Sequence, residues 1–419
     1  MNWYHATGGQ KHGPFGRDEF VRLIESGGVV DSTPVWHEGM AEWRPFSAVK
    51  VELGLAPEAG SAPGASVPGA QEEAPAAFEF TGSAGEYFKI WIVNLLLTVV
   101  TLGIYAAWAK VRNRRYFYAN TKMLGHAFDY TGSPVRILIG NLIVFGMAVV
   151  YFSSGAISPF LVLGVVFLFL FLAPWLIVKS LSFNARNSAY RGLRFGFDGK
   201  YGGAATAFML LPIASVFTMY LLFPWVLRKQ KNYVVGEHRY GSTRFAFNGA
   251  TEEIYKIFGL TVLFFIPLLF AYGGIIATII ASVPAKGAAA DPSAAMMAIW
   301  GLMLVPALIS ALIGRNFYQA RLFNYVWNGA TLGRHRFEAR MRFGGLLGLQ
   351  IVNALAVTFT LGLLYPWAKV RLVDYTLKSL RFVPLGGIDD LTGAGSPADE
   401  SAVGESAADF FDFDIGLGL

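Results

Sequence analysis

Four kinds of hydrophobic patterning follow one another along this chain. Residues 1–54 scatter aromatics among polar positions, punctuated by Gly and Pro. Residues 55–77 are an aperiodic run of Ala, Pro, Gly, Ser and Glu, the composition of a flexible linker. Residues 78–383 alternate long apolar runs with short basic stretches. Residues 384–419 are rich in Gly, Ala, Asp and Glu, which predicts a disordered acidic tail. Seven apolar runs, at 90–109, 135–152, 159–178, 204–227, 254–282, 295–314 and 346–368, reach the length a helix needs to cross hydrocarbon.

A shorter rhythm runs between the long ones. Phe-x-aromatic-x-Gly words stand at Phe78–Gly82, Phe128–Gly132, Phe195–Gly199 and Phe245–Gly249. Aromatics at period two closed by Gly predict brief extended segments that turn the chain into the membrane. Phe78, Phe195 and Phe337 are each followed thirty residues later by a tryptophan: Trp108, Trp225 and Trp367. Around the first and last of these the wording is nearly the same, Ile92-Val-Asn94 with Trp108-Ala-Lys-Val-Arg112 against Ile351-Val-Asn353 with Trp367-Ala-Lys-Val-Arg371. Such recurrence predicts duplication, with units at about 78–194, 195–336 and 337–383.

Composition agrees with the long runs. A chain that is 54% hydrophobic and only 15% charged, with mean hydropathy +0.46, belongs with multi-span membrane proteins and not with soluble enzymes. The predicted fold class is an α-helical polytopic membrane protein, internally repeated, with about six to seven membrane segments and a small α+β N-terminal domain. The start, Met1-Asn-Trp-Tyr-His5, lacks the basic and apolar regions of a cleaved signal peptide. With no cysteine, disulfides and thiolate metal sites are excluded.

Charge constrains the threading. The stretches 109–136, 179–203, 228–253, 315–343 and 369–383 hold 6, 5, 5, 6 and 4 Lys and Arg, whereas the loops 153–158 and 283–294 hold none and one. Cytoplasmic loops carry this excess, so a net charge of +6 points to topology here and not to nucleic acid. Seven full crossings would place the basic stretches on both faces. They fall on one face if 90–109, 204–227 and 346–368 enter and leave on the same side, and the mid-run Asn94, Gly103, Pro212, Asn353 and Gly362 suit such a break. Both threadings remain open on sequence alone. The expected location is the bacterial inner membrane, with the N-terminal domain and the tail in the cytoplasm.

The N-terminal words Trp3-Tyr4, Gly13-Pro14-Phe15, Phe20, Val35-Trp36, Glu38-Gly39-Met40 and Trp43 resemble the bacterial class of GYF domains. That resemblance implies strands around one helix and a groove of aromatics, with Trp3, Tyr4, Phe15, Trp36 and Trp43 as candidate contacts for an extended, proline-rich peptide. A domain this small also needs large aromatics for its core, so core and ligand roles compete at each position. Residues 78–383 resemble the YjgN-like bacterial inner-membrane family, a domain of unknown function. The words Phe78-Glu-Phe-Thr-Gly82, Glu86-Tyr-Phe-Lys-Ile-Trp-Ile-Val-Asn94, Thr101-Leu-Gly-Ile-Tyr105 and Trp108-Ala-Lys-Val-Arg112 carry it.

Trp108, Lys110, Arg112, Trp225, Arg228, Trp367, Lys369 and Arg371 are candidates for the membrane interface, where indoles and cations anchor helices or meet anionic headgroups. The apolar runs hold no ionisable residue away from their ends apart from Lys256, which disfavours carboxylate-driven pumping. The six histidines are scattered without metal spacing, and no P-loop, HExxH or GxSxG occurs, so neither catalytic residues nor a cofactor are assigned. Two readings follow. The first is a non-enzymatic scaffold or adaptor whose cytosolic module binds proline-rich or extended peptides. The second is a passive channel or transporter regulated by that module.

Overall fold

The computed structural model describes residues 2–7, 10–25, 29, 33–37, 40, 43–46, 49, 74–282 and 294–385. Most of the linker expected at 55–77, and the tail from residue 386, lie outside the described residues. The chain divides into two compact units, Met1–Ala70 and Gln71–Leu419.

In the first unit, β1 (Trp3–Thr7), β2 (Gln10–Phe15), α1 (Arg17–Glu25), β3 (Pro34–His37) and β4 (Arg44–Pro45) follow in order. The strands form one antiparallel sheet in the order β2-β1-β3-β4. Phe20, Leu23 and Ile24 share one face of α1 at helical spacing and close over a core of Trp3, Val29, Val35, Phe46 and Val49. With a single short helix among the described residues, this unit is a small β domain and not the α+β domain expected.

The second unit corrects the fold class more deeply. Ten short strands close into a barrel, in the order β10-β11-β12-β13-β14-β5-β6-β7-β8-β9. Nine arise in sequence as β5 (Ala76–Phe80), β6 (Thr121–Met123), β7 (His126–Tyr130), β8 (Ser188–Tyr190), β9 (Leu193–Phe197), β10 (His238–Tyr240), β11 (Thr243–Phe247), β12 (Ala330–Leu332) and β13 (His335–Ala339). The last, β14 (Leu380–Val383), pairs with β5, Arg381 opposite Ala77, and closes the ring. Every neighbour is antiparallel, and β6-β7, β8-β9, β10-β11 and β12-β13 are joined by two-residue turns. Leu124-Gly125 and Arg191-Gly192 take positive φ at both positions, the twist such tight hairpins require. All four turns therefore lie at one end of the barrel, with the start of β5 and the end of β14. Every described helix of this unit leaves from the other end.

Those helices come in five antiparallel pairs. Two pairs are long: α4 (Pro134–Ile157) with α5 (Pro159–Asn187), and α9 (Thr251–Ser282) with α10 (Ala294–Gly329). These four helices have the length and apolar composition to cross a membrane. Three pairs are short: α2 (Ala84–Val100) with α3 (Ala106–Asn120); α6 (Tyr201–Ala205), a π-helical turn (Thr206–Leu210) and α7 (Leu211–Phe217) with α8 (Phe223–Gly236); and α11 (Phe343–Phe359) with α12 (Tyr365–Lys378). The runs 90–109, 204–227 and 346–368 are thus not single helices. Each doubles back, which reduces the expected six to seven membrane segments to four candidate crossings among the described residues.

A threonine makes each short turn. Thr101 Oγ1 donates to the Leu97 carbonyl (2.7 Å) and accepts from the Tyr105 amide (2.9 Å). Thr360 does the same between Ala356 (2.7 Å) and Leu364 (3.1 Å). Thr218 Oγ1 donates to Ser215 (2.9 Å). The next two residues are left-handed, Leu102-Gly103, Met219-Tyr220 and Leu361-Gly362, and the first of each pair is almost fully exposed (94%, 89% and 95%). An apolar side chain held outward at a capped turn suits lipid and not water.

Candidate functional site

The barrel interior explains the Phe-x-aromatic-x-Gly words. Cross-strand pairing sets Phe78 opposite Met123, Phe128 opposite Tyr190, Phe195 opposite Tyr240, Phe245 opposite Leu332 and Phe337 opposite Phe382. These ten residues, one from each strand, all line a single cavity. Their rings pack on one another, with Phe128 and Tyr190 4.7 Å apart between centroids and Phe195 and Tyr240 5.0 Å. Buried phenols find backbone acceptors: Tyr190 donates to the Met123 carbonyl (2.6 Å) and Tyr240 to the Tyr190 carbonyl (2.8 Å). Burial, and then the neighbouring Tyr190, push the Tyr240 hydroxyl up to about 12.

Many of the alternate strand positions are charged. Glu79 faces Lys122, and Glu338 faces Arg381. Asp198 pairs with Arg239 (3.0 Å) and Arg244 (3.1 Å). Aromatic inside and ionic outside is the reverse of a barrel that sits in lipid. This barrel is built for water on its outer face.

The word-final glycines have a steric reason. A Cβ at Gly199 would lie 2.4 Å from the Phe197 ring and 2.5 Å from the Tyr233 hydroxyl, and one at Gly249 would meet Phe247 and Tyr325 as closely. Those tyrosines return from the second helix of their pair to bond the first: Tyr116 to the Ser83 carbonyl (2.8 Å), Tyr233 to Lys200 (3.0 Å), Tyr325 to Ala250 (3.1 Å) and Tyr375 to Arg342 (2.8 Å).

Ten strands enclose more space than the roughly eight whose interior side chains alone can fill. A cavity of about 160 Å³ remains at the helix end. There Ser188, His238 and Ala330 open their strands, and Arg114, Asn184 and Trp327 descend from the helices. The Arg114 guanidinium donates to the Tyr130 hydroxyl and to Asn184 Oδ1, both at 3.0 Å. His238 Nδ1 lies 2.5 Å from the Val234 carbonyl, and burial holds the imidazole down to about 4 despite that bond. Among the described residues no cluster of His, Asp or Glu is placed to hold a metal ion.

In the N-terminal unit, strand alternation divides the five candidate aromatics. Trp3 is 2% exposed and stacks on Phe20, and Phe15 packs beside them. Tyr4 and Trp36 stand opposite each other on the other face (5.6 Å), with Trp43 next to Trp36 (6.5 Å). Lys11 Nζ lies 3.9 Å over the Tyr4 ring, and the Trp36 indole donates to the Met40 carbonyl (2.8 Å). The result is a three-ring surface strip separate from the core.

The interface candidates have further work inside the short pairs. Arg112 donates to Asn94 Oδ1 (3.3 Å) and Arg371 to Asn353 Oδ1 (3.1 Å), so the matched words describe a polar lock between paired helices. In the third short pair Gln230 reaches the Ala207 carbonyl (3.1 Å) in the π-helical turn. Trp108 packs on Val111, Tyr130 and Ile137, and Lys110 is partly buried beside it. Arg228 donates to the Gly249 carbonyl (2.7 Å), with Trp225 under Lys229. Arg371 lies over Trp367 (4.4 Å), and Lys369 over Phe117 (5.9 Å).

Sequence reasoning missed the inward ring, His238 and Trp327. The first Phe of each word was the available signal for the ring.

Apolar hairpins carrying a polar-faced barrel define a membrane-associated protein. The chain belongs to the family described as "Bacterial protein of unknown function (DUF898)", which matches residues 75–410, and a "GYF domain 2" matches residues 3–50. It is 37% identical over 123 residues to "Inner membrane protein YjgN" of Salmonella typhimurium LT2 (28% of this chain, 30% of that protein). It is 35% identical over 141 residues to the protein of the same name in Escherichia coli O157:H7 (32% and 34%). The matched stretch thus spans about a third of these relatives. No solved structure matches.

Proposed function

We propose that this chain is an inner-membrane scaffold or adaptor, with the barrel and the N-terminal module in the cytoplasm. Four crossing helices and three lipid-inserted hairpins hold the barrel at the membrane surface. Beyond the linker, the module presents Tyr4, Trp36 and Trp43 to an extended or proline-rich peptide. The observation that carries peptide binding is the strip itself. Three adjoining rings lie outside the core, the kind of aromatic surface on which proline-rich ligands dock, with Lys11 over Tyr4 and Trp36. The barrel's ionic outer face and the lysines and arginines carried along the helices that return to it favour the cytoplasmic side. The ring of ten inward residues weighs against solute passing through the barrel.

Residues 1–54, which have their own core, can be tested on an array of proline-rich and extended peptides. A set of ligands that Trp36→Ala or Trp43→Ala releases without unfolding the unit supports this reading. Absence of any ligand, or binding indifferent to both substitutions, would remove the peptide role.

A further inference from the structure

The five helical pairs leave the same rim of the barrel, so their lengths can be compared as depths. Each short pair opens with seventeen residues, 84–100, 201–217 and 343–359, about 25 Å of helix. The long pairs open with the twenty-four residues of α4, about 36 Å, and the thirty-two of α9, about 48 Å. With α4 spanning a hydrocarbon core about 30 Å thick, the short pairs end within about the middle third of that core. The first Lys or Arg in each returning helix gives the same ranking. Lys110, Arg228 and Lys369 come four or five residues into α3, α8 and α12, about 6 to 8 Å from the turn. In α5 and α10 the first are Lys179 and Arg315, twenty and twenty-one residues in, about 30 Å. A long cationic side chain can reach back to the interface over its own length, which suits a turn held inside one leaflet.

The two leaflets then meet different amounts of protein. Among the described residues, five pairs enter the leaflet nearer the barrel, and only the four long helices continue beyond the three capped turns. Six helices of about 10 Å diameter occupy roughly 500 Å² of the near leaflet with no counterpart in the far one. The exposed Leu102, Met219 and Leu361 at the turns keep that extra volume in lipid. The membrane body is therefore a cone with its wide end toward the barrel. Lipid packs around such a cone with least strain where the bilayer bends away from the wide end. We infer that this chain recognises membrane curvature and prefers a lipid surface that is convex on the barrel side. This rests on the reading that the short pairs insert in lipid, and adds the shape of bilayer they select.

The test reconstitutes the full chain, carrying Leu124→Cys at a barrel turn, into phosphatidylcholine–phosphatidylglycerol liposomes of mixed size. An impermeant thiol dye marks molecules with the barrel outside, and a permeant second dye then marks those with it inside. Read liposome by liposome, outward molecules should be about three-fold denser at a diameter of about 50 nm than at about 200 nm, and inward ones correspondingly sparser. A dye on Leu361→Cys, quenched by lipids brominated along their chains, reports separately whether a short pair lies in lipid. Density independent of diameter with a quenched tip would overturn the curvature preference and leave the hairpins in lipid. An equal rise for both orientations would overturn it too, because the preference of a cone must reverse with its direction. A tip shielded from the quencher would mean that water or protein, a second copy of the chain included, meets it, and would remove the hairpin reading and the cone together.

Discussion

The long and short helical pairs start from the same kind of barrel strand, yet they are held together differently. In the long pair α9/α10, contact rests on small residues and helix-to-helix hydrogen bonds. Gly314 lets the Phe264 side chain approach, Ser310 donates to the Phe264 carbonyl (2.7 Å), and the Trp300 indole donates to Thr278 (2.7 Å). In the short pairs α2/α3 and α11/α12 an Asn–Arg bond crosses between helices, and a threonine turns the chain after seventeen residues. An arginine is expensive at the centre of a bilayer, but near the barrel its head can stay at the interface while its Asn partner satisfies it. Length between strands decides whether a pair has the reach to cross. The polar lock is affordable only where it does not.

Acid should weaken the base that both kinds of pair share. The folded His238 titrates near 4 against about 6.5 unfolded, so between these values the unfolded chain binds the extra proton. This contribution is fully present above about pH 6.5 and is lost as pH falls toward 4. It amounts to about 3 kcal/mol. His238→Phe should flatten that part of the pH dependence of thermal unfolding in detergent. An unchanged slope would show that the histidine is not buried in its neutral form.

Within the pairs, Asn353→Leu should cost about 2 kcal/mol, since it strips a partner from Arg371 and from the Ala368 carbonyl. Thr261→Val in α9 should cost well under 1 kcal/mol, because that hydroxyl only doubles a bond within its own helix. Equal melting shifts for the two would erase the distinction. Gly314→Ala should cost 1 to about 3 kcal/mol and act on the long pair alone, because the new methyl would lie 2.5 Å from Phe264 Cβ. Thr360→Val removes a turn cap and should cost about 1 kcal/mol. A larger loss would mean that the turn also carries tertiary packing.

Much of the short-range structure was readable in the sequence. Period-two aromatics gave the extended segments, glycine the turn after them, and the thirty-residue Phe–Trp spacing the distance from a strand to its returning helix. Closure into a barrel was not readable. Each strand has three to five residues, and the decisive pairing joins Ala77 to Arg381, a distance along the chain that no local period reports. The hydrophobic count erred for a related reason. Thr101-Leu-Gly103 and Thr360-Leu-Gly362 are apolar enough to be absorbed into a long run, although each reverses the chain. At Trp3 and Tyr4, alternation along one strand separates core from surface, a distinction the list of aromatics lacked. His238 gave no signal, because a single histidine between two loops looks solvated until the barrel closes around it.

The central claim, that the long pairs cross and the short pairs return, can be tested in intact cells with single cysteines placed in this cysteine-free chain. Gly155→Cys, at the far end of α4, should react with a membrane-impermeant thiol reagent added from outside. Leu124→Cys and Ser242→Cys, at two barrel turns on either side of the α4/α5 pair and the α6–α8 pair, should both stay unlabelled until the cells are opened. Labelling of one barrel turn and not the other from outside would contradict the claim, because an odd number of crossings would then separate them.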